Sequence, residues 1–192
     1  MKVYGDAISG NCLKVRYTAD YLGLAYDWEA VDILKGDCRT PEVLAINPAG
    51  QVPVLALDDG RVLTQSNAII EYLATGSALL PAAAYDQAKV HEWLYWEQYS
   101  HEPYVAVCRF HMRYQGKAAN EREPWRVQRG EAALDHLEAA LGDGDWLAAG
   151  QLTIADIALL AYTRLAHEGG FDLAGRPRVR AWIKRCEDAL GL

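Results

Sequence analysis

Ser9, the Val52-Pro53 bond and the Gln65-Ser66 pair are the positions whose types and neighbours can do chemistry. Ser9 precedes a helix-periodic run. There a hydroxyl and the positive end of a helix dipole can stabilise a thiolate that a ligand brings in, and a plain N-cap is the competing role. Cys12, three residues on, falls in the first turn of the same run, where a helix N-terminus can lower a thiol pKa. A cis Val52-Pro53 bond would turn the preceding backbone outward. The N–H and C=O of Val52 could then pair with an extended, peptide-like ligand as a neighbouring strand would. Cis is the minority isomer of X-Pro bonds, so a trans proline opening a strand is the plainer expectation. At Gln65-Ser66 a strand hands over to a helix; the Ser66 hydroxyl and the first free amides form a cradle suited to a carboxylate, or Ser66 simply caps the helix.

Other chemistries find less to work with. His91-Glu92 and His101-Glu102 lack the HExxH spacing that sets two imidazoles on one metal, so no metal site is expected. Cys12, Cys38, Cys108 and Cys186 form no CxxC pair and lie far apart, which suggests reduced thiols rather than a disulfide framework. The formal charge of −7 gives no generic attraction to nucleic acid or anionic lipid. The basic residues of 176–185 alternate with Val179, Trp182 and Ile183, as the solvated face of a terminal helix does. No basic-then-apolar signal precedes Lys2-Val3-Tyr4 and no apolar run approaches the roughly 20 residues of a membrane span, so a cytoplasmic protein is expected. With 192 residues, 51% of them apolar, the chain has the makings of one or two packed units.

The elements that position these residues follow from changes of hydrophobic period. Lys2-Val3-Tyr4 reads as a strand, and Val15, Ala19 and Leu22 recur at helical spacing until Gly23. Residues 25–33 offer a second strand, and Thr40-Pro41 opens a short helix that runs to Ile46. Val52 to Leu57 and Arg61 to Thr64 flank Asp58-Asp59-Gly60 as a hairpin, and a helix follows from Ser66 to Ala74. The order βαβαββα implies one mixed four-stranded sheet packed by helices. After Pro81 the pattern is helical, over about 86–114, 121–141, 153–167 and 178–190. Domains are therefore expected at 1–76 and 86–192, joined by a linker at 77–85. Thr153 with Asp156 three residues on predicts a capping box, with Leu152 stapling to Ile157. The stretch Trp93, Tyr95, Trp96, Tyr99 is too aromatic for one buried stripe, so part of it should face a partner or a cleft.

Taken together these motifs resemble the cytosolic glutathione transferase family. Ser9-Gly10-Asn11-Cys12-Leu13-Lys14-Val15-Arg16 is similar to its first-helix motif, and Asn47-Pro48-Ala49-Gly50-Gln51-Val52-Pro53-Val54-Leu55 to its central loop and cis-proline strand. Leu63 to Leu73 is similar to its glutathione-binding turn and helix, and Leu152 to Ile157 to its α-domain capping motif. The resemblance covers essentially the whole chain. It implies a thioredoxin-like domain followed by an all-α domain, a substrate cleft between them, glutathione as co-substrate and a homodimer. It points to a serine-type, theta-like or related bacterial subclass. By position, Ser9 matches the serine that activates the glutathione sulfur, Val52 the residue pairing with the cysteinyl backbone, and Gln65 and Ser66 the pair that holds the γ-glutamyl end. Gln65 replaces an acidic residue common there, which weakens one charge contact to the ligand amine. Asn11, Gln51 and Pro53 belong to the same glutathione-binding set, with Lys35 and Arg39 in reach of the glycine carboxylate. Cysteine-type members place their thiol where Asn11 stands, and the related isomerase branch carries Ser-Ser-Cys-Ser where this chain has Ser9-Gly10-Asn11-Cys12.

The expected activity is attack of the glutathione thiolate on a hydrophobic electrophile, with Ser9 lowering the thiol pKa; Cys12 is the alternative sulfur-handling residue. The acceptor pocket is expected near Ala7, Ile8, Tyr99, Tyr104, Cys108 and His111. Rival expectations are a glutathione-dependent disulfide oxidoreductase or peroxidase, and an interaction protein of the same fold that turns nothing over.

Overall fold

Val3 sits at the centre of the first sheet with no exposed surface, and the rest of the N-terminal unit is arranged around that strand. In a computed structural model describing residues 1–192, β1 (Lys2–Gly5) pairs in parallel with β2 (Asp27–Ala30) and antiparallel with β3 (Val54–Ala56). β3 pairs in turn with β4 (Val62–Thr64), giving the order β2-β1-β3-β4. The parallel step needs a crossover and α1 (Gly10–Tyr21) supplies it, burying Cys12, Val15 and Ala19. The antiparallel step needs only a tight turn. Gly60 takes φ +86° there, and the Arg61 amide donates to Asp59 Oδ1 at 3.1 Å. α2 (Pro41–Ile46) starts at Thr40, whose hydroxyl accepts from the Val43 amide, and α3 (Ser66–Ala74) follows β4. The strands are shorter than their hydrophobic runs, and β2 keeps four of the nine residues whose pattern suggested it.

Two compact units result, Met1–Thr75 and Gly76–Leu192. The second is all-helical: α4 (Ala84–Trp96), α5 (Glu102–Arg109), α6 (Pro124–Leu141), α7 (Ile154–Thr163) and α8 (Pro177–Leu190). Every residue of α7 is buried, as expected of a helix apolar all round. Val105, Cys108, Leu134, Ala166 and Phe171 form a core cluster beside it. The basic face of α8 is solvated and paired, Arg185 with Asp145 at 2.6 Å and Lys184 with Asp188 at 2.9 Å.

The single helix expected over 86–114 is instead α4 and α5 separated by a π-helical turn, Glu97–His101, with a second such turn at Phe110–Tyr114. Pro103 gives the first a cause. Its ring nitrogen cannot donate to the carbonyl four residues back and its ring crowds that carbonyl, so the preceding turn widens. The turn keeps the chain helical across 97–101, so no break in sequence pattern separates α4 from α5. Thr153 and Asp156 form the expected capping box. The Thr153 amide donates to Asp156 Oδ2 at 2.9 Å, and its hydroxyl donates to the same oxygen at 3.0 Å, which ties the cap side chain to the carboxylate as well. No helix is long and apolar enough to cross a membrane.

Candidate functional site

The site is built at the ends of elements in the N-terminal unit. Asp6, just past β1, is buried and gathers backbone amides: Oδ1 accepts from Ile8 at 2.9 Å and Ser9 at 3.0 Å, and Oδ2 accepts from Ile33 at 3.4 Å. This Asx-type turn sets the entry to α1 and fixes the Ser9 backbone. Ser9 is the N-cap residue of α1, yet its side chain makes no cap bond. The plain capping role therefore does not describe it. The hydroxyl lies beside the Cys12 sulfur and the residue retains 9% exposure.

Cys12 has a different environment from the one a reactive thiol needs. It is wholly buried, its sulfur accepts from the Asp6 amide at 3.3 Å, and its thiol is pushed up to about 12 by burial. The Ser9 hydroxyl and the Asp6 amide pull the other way and are outweighed. At neutral pH such a group is a thiol, and a thiol is neither nucleophile nor leaving group of use. The helix N-terminus that could have lowered its pKa is overcome by loss of water.

The Val52-Pro53 bond is cis, the minority isomer that the dipeptide alone did not favour. Val52 is half-buried, stands two residues ahead of β3, and takes part in no hydrogen bond within the chain. Its amide and carbonyl have the chemistry an extended peptide needs for pairing. Gln51 beside it is exposed, and its carbonyl accepts from Asn47 Nδ2 at 2.8 Å, which ties down the loop; Pro53 is buried.

At the start of α3 the cap is Gln65, not Ser66, with φ 70° and ψ 114°. That backbone is costly for a side chain other than glycine, by about 1–3 kcal/mol, and such strain concentrates at ligand sites. Ser66 is the first helical residue, buried, with its hydroxyl donating to Asn11 Oδ1 at 2.9 Å. Lys14, on the same face of α1 as Asn11, is wholly buried, and its ammonium donates to Ser66 Oγ at 3.4 Å and Asn67 Oδ1 at 3.3 Å. Lys14 and Asp6 were missed in the sequence. The i+3 spacing of Lys14 from Asn11 was available as a signal, as was an aspartate three residues ahead of an N-cap, but a lysine at 0% exposure goes against the usual preference of that residue.

The remaining predicted residues lie as follows. Lys35 is exposed and its ammonium is 3.2 Å from Asp32; Arg39 is exposed with its guanidinium against Gly50, two residues ahead of Val52. Ala7 is exposed and Ile8 half-buried beside Ser9. In the helical unit Tyr99 is 82% exposed, Tyr104 packs edge-on to Trp125 with ring centroids 6.2 Å apart, and His111 is half-buried with no hydrogen-bond partner at Nδ1. Cys108 lies inside the core cluster with no surface to offer, because its face of α5 is the one packed on Leu134 and Phe171. Of the aromatic stretch, Trp93 is buried while Tyr95 and Tyr99 face solvent. No group of three or more His, Cys, Asp or Glu side chains is placed to hold a metal.

A thioredoxin-like βαβαββα unit with a cis-proline loop, followed by an all-helical unit, defines the glutathione transferase architecture. The family model for "Glutathione S-transferase, N-terminal domain" matches residues 8–75, and that for "Glutathione S-transferase, C-terminal domain" matches 117–185. Glutathione S-transferase 3 of Zea mays is 32% identical over 95% of this chain and 86% of the maize protein. Maleylacetoacetate isomerase of Rhizobium meliloti is 35% identical over 90% of this chain and 84% of that protein. Among solved structures, a glutathione S-transferase from Pseudomonas fluorescens superposes with a TM-score of 0.92 at 48% identity, covering 97% of this chain and 94% of that one. The chain belongs to the glutathione S-transferase family and is a transferase enzyme.

Proposed function

We propose that this transferase binds glutathione along the loop–strand–helix path of its N-terminal unit, with Ser9 at the sulfur, Val52 on the cysteinyl backbone and the γ-glutamyl carboxylate at Ser66. The observation that carries the reading is the state of Ser9. Its backbone is fixed by Asp6 and its hydroxyl, beside the Cys12 sulfur, makes no cap bond to the helix amides, so it can turn to donate to a thiolate. A hydrogen bond to a charged acceptor contributes roughly 1.5 to 3 kcal/mol, equivalent to about one to two pKa units on the bound thiol. The thiol proton leaves to solvent. The sulfur lone pair then forms a bond to the electrophilic carbon of a hydrophobic acceptor, and the leaving group departs with the electrons of its bond. The protein supplies proximity and thiolate. Arg39, whose guanidinium lies beside Gly50, is a cation at the loop suited to the glycine carboxylate, whereas the Lys35 ammonium is engaged by Asp32.

Tyr95 and Tyr99, exposed on neighbouring turns, support a homodimer that covers aromatic surface, and a cytoplasmic location accords with reduced, buried cysteines. Disulfide exchange through Cys12 has no support in its surroundings, since the buried sulfur is held protonated. Turnover of a chlorinated aromatic acceptor tests the reading. Cys12→Ala is expected to keep conjugation within about threefold of wild type, since a thiol in that form is no nucleophile; loss of conjugation with the fold intact would assign the sulfur chemistry to Cys12 instead.

A further inference from the structure

We infer that Lys14 is a positioning residue that makes the thiol-substrate site selective for a free carboxylate at the γ-glutamyl end. The inference rests on the placement of that carboxylate at Ser66.

The Ser66 hydroxyl has one proton and, with no ligand bound, gives it to Asn11 Oδ1 at 2.9 Å. An arriving carboxylate needs that proton. When the hydroxyl turns toward the ligand it leaves Asn11, and the donor that still holds Ser66 Oγ in place is the Lys14 ammonium at 3.4 Å. The same ammonium reaches Asn67 Oδ1 at 3.3 Å, so it grips the first two residues of α3 together. Lysine has three N–H donors and can make both contacts at once. A carboxylate oxygen at ordinary hydrogen-bond distance from Ser66 Oγ would lie at most about 6 Å from the lysine charge. Because Lys14 has no exposed surface, little water screens that charge. A neutral group in place of the carboxylate would keep the hydroxyl contact and lose the attraction, so the lysine reads charge through the serine.

The test compares glutathione with its analogue in which the γ-glutamyl α-carboxylate is a carboxamide, by calorimetry on the whole protein. Wild type is expected to bind glutathione at least about tenfold more tightly than the amide, the size of one charge-assisted contact. In Lys14→Gln and Lys14→Met glutathione is expected to weaken about tenfold while the amide stays within about twofold, and Lys14→Arg is expected to keep the preference within about threefold. Equal weakening of both ligands in the Lys14 variants, or no change in either, overturns the inference. If Ser66→Ala leaves the preference for the carboxylate intact, the placement of that group at Ser66 fails and the inference falls with it. Preference lost in Ser66→Ala but retained in Lys14→Gln leaves the placement standing and removes Lys14 alone. Should the neutral variants fail to fold, Lys14→Arg, which keeps the charge in a larger head group, still tests the inference: loss of the preference for the carboxylate with the amide bound as in wild type overturns it.

Discussion

The two units start a helix with nearly the same parts and put them to different use. In the N-terminal unit a buried aspartate precedes the cap residue by three: Asp6 accepts from the Ser9 amide and leaves the Ser9 hydroxyl out of the cap. In the helical unit the aspartate follows by three, and Asp156 takes both the amide and the hydroxyl of Thr153. An acid at the third helical position lies over the cap residue and captures its side chain; an acid upstream reaches only the backbone. The order of hydroxyl and carboxylate along the chain thus separates a helix end whose cap hydroxyl is captured by the acid from one whose hydroxyl is left out of the cap.

The largest effect that can break the comparison lies at the captured end. Asp156 Oδ1 also accepts from the Leu147 amide at 3.1 Å and from Trp182 Nε1 at 2.9 Å, so one carboxylate joins three segments of the unit. Burial pushes its carboxyl above the ordinary range, and the four donors oppose that push. Asp156→Ala strands buried donors and is expected to cost about 3 to 4 kcal/mol in denaturant unfolding. A loss below about 1 kcal/mol would mean that the network is dispensable and the contrast with Asp6 empty.

A smaller effect sharpens the contrast. Removing the captured hydroxyl, as in Thr153→Val, is expected to cost about 1 kcal/mol of stability, whereas Ser9→Ala is expected to stay within about 0.5 kcal/mol because no cap bond is lost. Equal costs at the two positions, read from paired denaturation curves, would show that Ser9 caps α1 in solution as Thr153 serves α7.

Most of the architecture was legible because it is written in local periodicity. Val15, Ala19 and Leu22 mark α1, Asp59-Gly60 marks the hairpin, and Thr40-Pro41 marks the start of α2. What escaped was set by tertiary context. The cis state of Val52-Pro53 is decided by the loop around it and not by the dipeptide. Gln65 at φ 70° has no sequence signal, since glutamine gives no preference for that conformation. The partners of Lys14 come from α3, which its place in α1 does not reveal. Cys12 sat at a position suited to a lowered pKa, but burial, which one sequence does not reveal, reverses the sign. Local pattern locates helix ends, and the partners of their side chains come from segments distant in sequence.

The account turns on whether the Ser9 hydroxyl serves the sulfur of bound glutathione. The direct measurement is a pH titration of the thiolate absorbance of enzyme-bound glutathione in wild type, Ser9→Ala and Cys12→Ala. Removing a donor destabilises the thiolate, so the bound thiol in Ser9→Ala is expected to titrate about one to two units higher than in wild type. Its conjugation rate should fall most near neutral pH and recover as the pH rises through the new pKa, with Cys12→Ala unchanged on both counts. An unaltered thiol pKa in Ser9→Ala, with glutathione still bound, would contradict the account.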